Sequence, residues 1–69
     1  MDKVRVNSSN ISSIGYDPMS QTLEVAFNSG GIYQYYNVPE NIYINLMNAG
    51  SKGKYHHTHI KGRYNYKRV

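Results

Sequence analysis

The sequence lacks cysteine and tryptophan, and it has only four acidic residues among 69. Without cysteine it forms neither disulfides nor thiolate metal sites. Each acid stands alone, so the paired carboxylates of acid–base hydrolases are missing. No window approaches the ~20 apolar residues of a membrane helix, and Met1–Arg5 has no apolar run typical of a secretory signal. We therefore expect a cytoplasmic protein that is not an enzyme, carries no cofactor and does not associate with membranes.

The chain is short and rich in tyrosine. Its 69 residues (7.9 kDa) fit one small domain. Hydrophobic residues make up 39%, and that fraction includes eight tyrosines. Because a chain of this length buries only about 60% of its unfolded surface, the tyrosine rings are needed to complete the core.

Three segments in the first half have the character of strands. Ile11–Tyr16 is followed by a turn at Asp17–Ser20, where Asp and Pro suit the first two turn positions. Thr22–Phe27 alternates apolar and polar residues with the period of a half-buried strand. After Asn28–Gly31, which tolerates positive φ, Ile32–Asn37 is predicted as the third strand. These segments predict a three-stranded antiparallel meander.

The register of the second hairpin has two alternatives. A two-residue turn would pair Phe27 with Ile32 and turn Tyr33 and Tyr35 away from the apolar face. A three-residue loop with a glycine bulge would pair Phe27 with Tyr33 and Val25 with Tyr35. We favour the second, because two tyrosine rings would enlarge a small core.

The second half begins with helical patterns. Pro39–Asn48 is predicted as the main helix, because Pro suits the first turn and apolar residues recur at helical spacing. Ser51 is suited to cap a short second helix over Lys52–Thr58. Arg63–Val69 is predicted to be an extended or irregular basic tail. The expected fold class is α+β.

Positive charge is concentrated at the C-terminal end. Residues 50–69 hold six of the eight Lys and Arg residues and no acid, interleaved with tyrosines. Cations that neutralise phosphates and rings that stack on bases are typical of nucleic-acid surfaces. We predict binding of RNA or single-stranded nucleic acid through this surface, with the candidate residues Lys52, Lys54, Tyr55, Lys61, Arg63, Tyr64, Tyr66, Lys67 and Arg68. The alternative is a protein–protein interaction module without a nucleic-acid role, docking by a strand edge or its tyrosine surface.

Three histidines lie in the same segment. On a helix, His56 and His59 are three residues apart and could face the same way, as zinc ligands do. His57 lies between them, but no third ligand is evident because no cysteine or acid follows Glu40. We interpret the three as a surface cluster and predict no metal site.

Several motifs, in this order, resemble one family. They are Ser9–Ile11 with Ile14–Asp17, Leu23–Phe27, Tyr33–Tyr35, Val38–Pro39, Ser51–Tyr55 and Ile60–Tyr64. This pattern resembles the KTSC domain, which is attached to some lysyl-tRNA synthetases and also occurs as a stand-alone small bacterial protein. The resemblance implies one domain over residues 8–68 after a lead-in at residues 1–7, and it suggests RNA binding. The Tyr-x-Tyr motif of the family matches Tyr33 and Tyr35, which we expect to be structural rather than binding residues.

Overall fold

The computed structural model describes residues 2–69, which form a five-stranded antiparallel sheet and two helices. The strands follow one another in the sheet in chain order. The elements are β1 (Val4–Arg5), β2 (Ile11–Asp17), β3 (Thr22–Phe27), β4 (Ile32–Tyr35), α1 (Glu40–Asn48), α2 (Lys52–His59) and β5 (Tyr66–Arg68). The predicted α+β class is confirmed.

The predicted strand number was wrong, because both edge strands were missed. β1 has two residues and lies in the segment taken as a lead-in, where Val4 pairs with Ile14. β5 has three residues and lies in the basic tail, where Tyr66 pairs with Tyr35. Strands this short have no recognisable alternation, and they form because a neighbouring strand offers hydrogen-bonding partners.

The β3–β4 register matches neither alternative. Val25 lies opposite Tyr33 and Leu23 opposite Tyr35, a shift of two residues from the favoured pairing. The loop does contain three residues and a glycine with positive φ (Gly30, 106°). It closes directly after Phe27, whose N–H donates to the Gly31 carbonyl at 2.9 Å. Because the shift is even, both tyrosines still share the face of the apolar β3 residues, as favoured.

Both helices begin directly after the residues predicted to start or cap them. Pro39 is the N-cap of α1, so the helix begins one residue after its predicted start. Ser51 caps α2 by accepting a hydrogen bond from the Lys54 N–H at 3.3 Å. No helix in residues 2–69 is long and apolar enough to cross a membrane.

The core lies between the helices and one face of the sheet. Its buried residues come from the sheet, from α1 and from the segments that flank the helices: Ile11, Ile14, Leu23, Val25, Tyr35, Val38, Leu46 and Ile60. Phe27 and Tyr33 pack against this cluster but are only half-buried. The sheet therefore carries aromatic rings at the border of the core.

The other face of the sheet holds a polar network around Glu24. Its carboxylate accepts from Lys3 Nζ at 2.6 Å and from Gln34 Nε2 at 2.8 Å. Tyr36 donates its hydroxyl to Gln34 Oε1 at 3.1 Å. The hydrogen bond from Lys3, followed by that from Gln34, lowers the pKa of Glu24 below its usual 4.5. The network ties the residue before β1 to the centre of the sheet.

Candidate nucleic-acid interface

A cleft of about 780 Å³ opens between α2 and the sheet at the end of the core. Its volume lies within the range of ligand sites, about 300–1,000 Å³. It is lined by aromatic, polar and basic residues: Ser9, Asn10, Phe27, Asn28, Ser29, Tyr33, Tyr35, Gly53, His56, His57, Lys61, Gly62 and Tyr66. The cleft is thus built from the β3–β4 hairpin, β5, α2 and the segment before β2.

Five rings form a closed circuit along the cleft, and we call them the aromatic circuit: Phe27, Tyr33, Tyr66, Tyr35 and His56. Successive ring centroids lie 5.6, 5.8, 5.7 and 5.3 Å apart in that order. The circuit closes with 5.1 Å between His56 and Phe27. Tyr66 is 59% exposed and is the most open of the five. Its ring is available to stack on a flat ligand.

The deepest part of the circuit is a buried polar pair. His56 Nε2 and the Tyr35 hydroxyl lie 2.7 Å apart, and the two residues are only 6% and 4% exposed. Burial, with smaller contributions from the nearby charges of Lys61 and His57, lowers the pKa of His56 to about 4. Burial also raises the pKa of Tyr35 to about 12. Both groups are therefore neutral at pH 7.

The rim of the cleft is positively charged. Lys61 lines it directly, and the guanidinium carbon of Arg68 lies 5.9 Å from the Tyr33 ring centroid. In the part of the chain that the structure describes, no Asp or Glu side chain lines the cleft. An aromatic ligand that carries negative charge suits this combination.

Two local contacts hold the polar end of the cleft in place. Asn28 Nδ2 donates to the carbonyls of Ser8 and Ser9 at 3.1 and 3.0 Å, which ties the hairpin loop to the start of β2. A Cβ at Gly53 would lie 2.8 Å from Asn10 Nδ2. A larger residue at this position would displace the Asn10 side chain.

A family comparison covers the fold from β2 to α2. The model of the KTSC domain family matches residues 7–64. The chain belongs to the KTSC domain family.

A solved structure and a curated protein are similar to this chain over nearly its whole length. A crystal structure of a KTSC domain protein from Yersinia pestis superposes with a TM-score of 0.97 at 43% identity, covering 99% of this chain and 96% of that one. An uncharacterized protein of Stutzerimonas stutzeri is 40% identical over 70 residues, which is 100% of this chain and 99% of that protein.

Lysine–tRNA ligases carry a related segment. The ligase of Nostoc sp. is 44% identical over 59 residues, which is 86% of this chain. That stretch is only 10% of the ligase, so this KTSC domain spans a small part of the ligases it matches.

The structure divides the predicted nucleic-acid-binding residues of the KTSC domain among several places. Two of them, Lys61 and Tyr66, line the cleft, and a third, Arg68, lies over the ring of the cleft residue Tyr33. Lys67 lies opposite Gln34, on the other face of the sheet. The predicted residues therefore do not form one continuous surface.

The remaining predicted residues lie away from the cleft. Tyr55 and Tyr64 pack against the core, half-buried. Lys52 Nζ donates to the Ala49 carbonyl and Arg63 Nε to the Thr58 carbonyl, each at 3.3 Å. Lys54 is exposed on α2.

The Tyr-x-Tyr motif occupies both core and cleft. Tyr35 is buried in the core and its hydroxyl faces His56, whereas Tyr33 is half-buried beneath Arg68. Gly31 makes room for the Tyr33 ring, because a Cβ there would lie 3.0 Å from Tyr33 Cε1.

His56 is the site residue that the sequence analysis assigned to the surface, and that prediction was wrong. It is buried, whereas His57 and His59 are exposed and the His59 ring stacks on Tyr55 at 4.5 Å. The sequence signal for its burial was the four-residue spacing from His56 to the buried Ile60.

Proposed function

We propose that this KTSC domain binds single-stranded nucleic acid, and RNA in particular, in the cleft, and that it does so without catalysis. One observation carries the proposal: the exposed ring of Tyr66 and the cation Lys61 line the same cleft, and the Arg68 guanidinium lies over the ring of Tyr33, which lines it too. Stacking on aromatic rings and neutralisation of phosphates are the two interactions by which single strands bind proteins.

The charge of the cleft argues against other aromatic-site ligands. Aromatic clusters also bind cationic ligands such as quaternary ammonium groups. Here Lys61 and Arg68 would repel a cation, and within residues 2–69 no acidic side chain lines the cleft to compensate. A nucleotide supplies both a base that stacks on the rings and a phosphate that the cations neutralise.

The relatives favour RNA over DNA. The lysine–tRNA ligases that contain a similar segment act on a tRNA by name. RNA is therefore the nucleic acid that a domain attached to such an enzyme would meet. We extend this to the present KTSC domain as part of the proposal.

Titration of a fluorescent octameric RNA at low salt tests the proposal, with Tyr66→Ala as the informative variant. Stacking contributes roughly 1–3 kcal/mol per base, so Tyr66→Ala should weaken binding by about tenfold or more. Because Tyr66 is exposed, the variant should keep its thermal stability. Lys67→Ala, one residue along and on the opposite face, is the matched control and should bind within about twofold of the parent.

Two outcomes would overturn the proposal. The first is a folded parent protein without measurable affinity for RNA at low salt, where electrostatic attraction is strongest. The second is equal loss in Tyr66→Ala and Lys67→Ala, which would remove the cleft from the binding surface. A protein partner whose affinity is insensitive to salt would instead support an interaction module.

A further inference from the structure

The Tyr35–His56 pair leaves one hydrogen-bonding group open to the cleft. Nε2 of His56 is engaged by the Tyr35 hydroxyl, and no group within residues 2–69 bonds the other ring nitrogen, Nδ1. No fully buried side-chain nitrogen or oxygen in this range lacks a partner. The unbonded Nδ1 is therefore not fully buried, and since His56 lines the cleft, the cleft is where a ligand would reach it.

The pair also determines which nitrogen carries the proton. The Tyr35 hydroxyl is buried and neutral, and Nε2 is its partner. Leaving a buried O–H donor unsatisfied costs more than leaving a spare acceptor lone pair. The hydroxyl therefore donates to Nε2, so the neutral imidazole carries its proton on Nδ1 and presents an N–H donor to the cleft.

The donor is held rigidly. The His56 ring packs edge-to-face against Phe27 and Tyr35, at interplanar angles of 73° and 71°. Its backbone carbonyl accepts from the N–H groups of Ile60 and Lys61 at 3.0 and 2.9 Å. A donor with a fixed direction discriminates between ligands, because a misplaced partner leaves it unsatisfied.

We propose that His56 Nδ1 reads the edge of one unstacked base in the cleft and selects uracil or guanine by the carbonyl oxygen at pyrimidine C4 or purine C6. Cytosine and adenine place an amino donor where uracil and guanine place a carbonyl acceptor. An N–H donor facing an amino group gains no hydrogen bond. The inference rests on the proposed function, and it makes Tyr35 the positioning residue that holds the tautomer.

Octameric oligo(U) and oligo(C) test the inference, because they differ in the relevant edge but have equal charge and similar size. An abasic octamer of the same length measures the phosphate contribution. We expect the parent to bind oligo(U) about tenfold more tightly than oligo(C), the discrimination of one well-placed hydrogen bond. The double variant Tyr35→Phe/His56→Phe removes both partners of the buried bond together, which keeps a planar ring at each position and leaves no orphaned group. It should bind both oligomers equally, with the affinity that the parent shows for oligo(C).

The single variant Tyr35→Phe separates tautomer control from structure. Without the hydroxyl, the His56 proton is free to reside on either nitrogen, so the preference for oligo(U) should shrink while affinity for the abasic octamer stays unchanged. A purely structural role would lower affinity for all oligomers together. Nitrogen-15 NMR of the histidine rings gives an independent check, since the free parent should show the Nδ1–H tautomer at His56 whether or not a variant folds.

The outcomes separate the two proposals. If the parent binds oligo(U) and oligo(C) equally, and both more tightly than the abasic octamer, the base-reading inference is overturned and nucleic-acid binding in the cleft stands. An Nε2–H tautomer at His56, or an undiminished preference in the double variant, also overturns it. If no oligomer binds at low salt, the proposed function fails and the inference fails with it.

Discussion

The two faces of the sheet use their polar groups in different ways. On the face without helices, Glu24 has its partners within the chain, and its contact with Lys3 is the one side-chain ion pair in residues 2–69. On the cleft face, the His56 ring is bonded through one nitrogen, and the cations Lys61 and Arg68 have no acidic partner in the same range. The polar network around Glu24 is satisfied internally and serves folding. Within the described part of the chain, the cleft face retains unpaired cations and an unbonded ring nitrogen, which we assign to a ligand only as part of the proposed function.

The largest effect should come from the core between the helices and the sheet. Leu23 is fully buried opposite Tyr35, so Leu23→Ala should lower the free energy of unfolding by about 2–5 kcal/mol. A domain of this size has about 3–5 kcal/mol in total, and the variant should be largely unfolded at 25 °C. Circular dichroism during a urea titration measures this. Met19→Ala, at a 93% exposed position, is the control and should stay within about 0.5 kcal/mol of the parent.

As the pH is lowered, the first loss of folding stability should come from His56 on the cleft face. His56 is uncharged in the fold, with its pKa lowered from 6.5 to about 4. Below pH 6.5 the unfolded chain takes up a proton that the folded His56 does not, so stability falls until the pH reaches about 4. The full loss is about 3 kcal/mol for a shift of this size. Urea unfolding at pH 7, 5.5 and 4 measures it, and the Tyr35→Phe/His56→Phe variant should lack this part of the pH dependence. Identical pH profiles for parent and variant would show that the folded ring accepts a proton freely.

The opposite face should respond in a lower pH window. The pKa of Glu24 is lowered in the fold, so the stability from its pairing is present above the usual pKa of 4.5 and is lost as the pH falls through the lowered folded value. Glu24→Gln keeps the shape and removes the charge, and at pH 7 it should lower stability by about 1 kcal/mol. The variant should lose less stability than the parent below pH 4.5, and the same as the parent between pH 6.5 and 5. A steeper loss in the variant below pH 4.5 would contradict the role of Glu24.

The features that the sequence predicted depend on local signals, and those that it did not predict depend on contacts with distant residues. β2, β3, β4 and both helices were predictable because alternation, Pro39 and Ser51 are local signals. β1 and β5 were not, since two or three residues carry no period and pair only when a neighbouring strand is present. The basic segment indicated a polyanionic ligand. Lys67 and Arg68 lie on opposite faces of the sheet, and which face each takes depends on the register of β5 with β4. The burial of His56 depends on its contact with Tyr35, 21 residues away.

The smallest effect should be in the salt dependence of RNA binding. Each phosphate contact to a single strand contributes about −0.7 to the slope of log affinity against log salt. If Lys61, Arg68 and one further cation contact phosphates, the parent slope should be about −2. Arg68→Ala should reduce it by about 0.7, whereas Lys67→Ala should leave it unchanged because its side chain lies on the other face of the sheet. Because Arg68 also covers the Tyr33 ring, a thermal melt must first show that Arg68→Ala is folded. Equal slopes for the two variants would mean that RNA does not distinguish the two faces of the sheet. The difference between the faces would then concern folding alone.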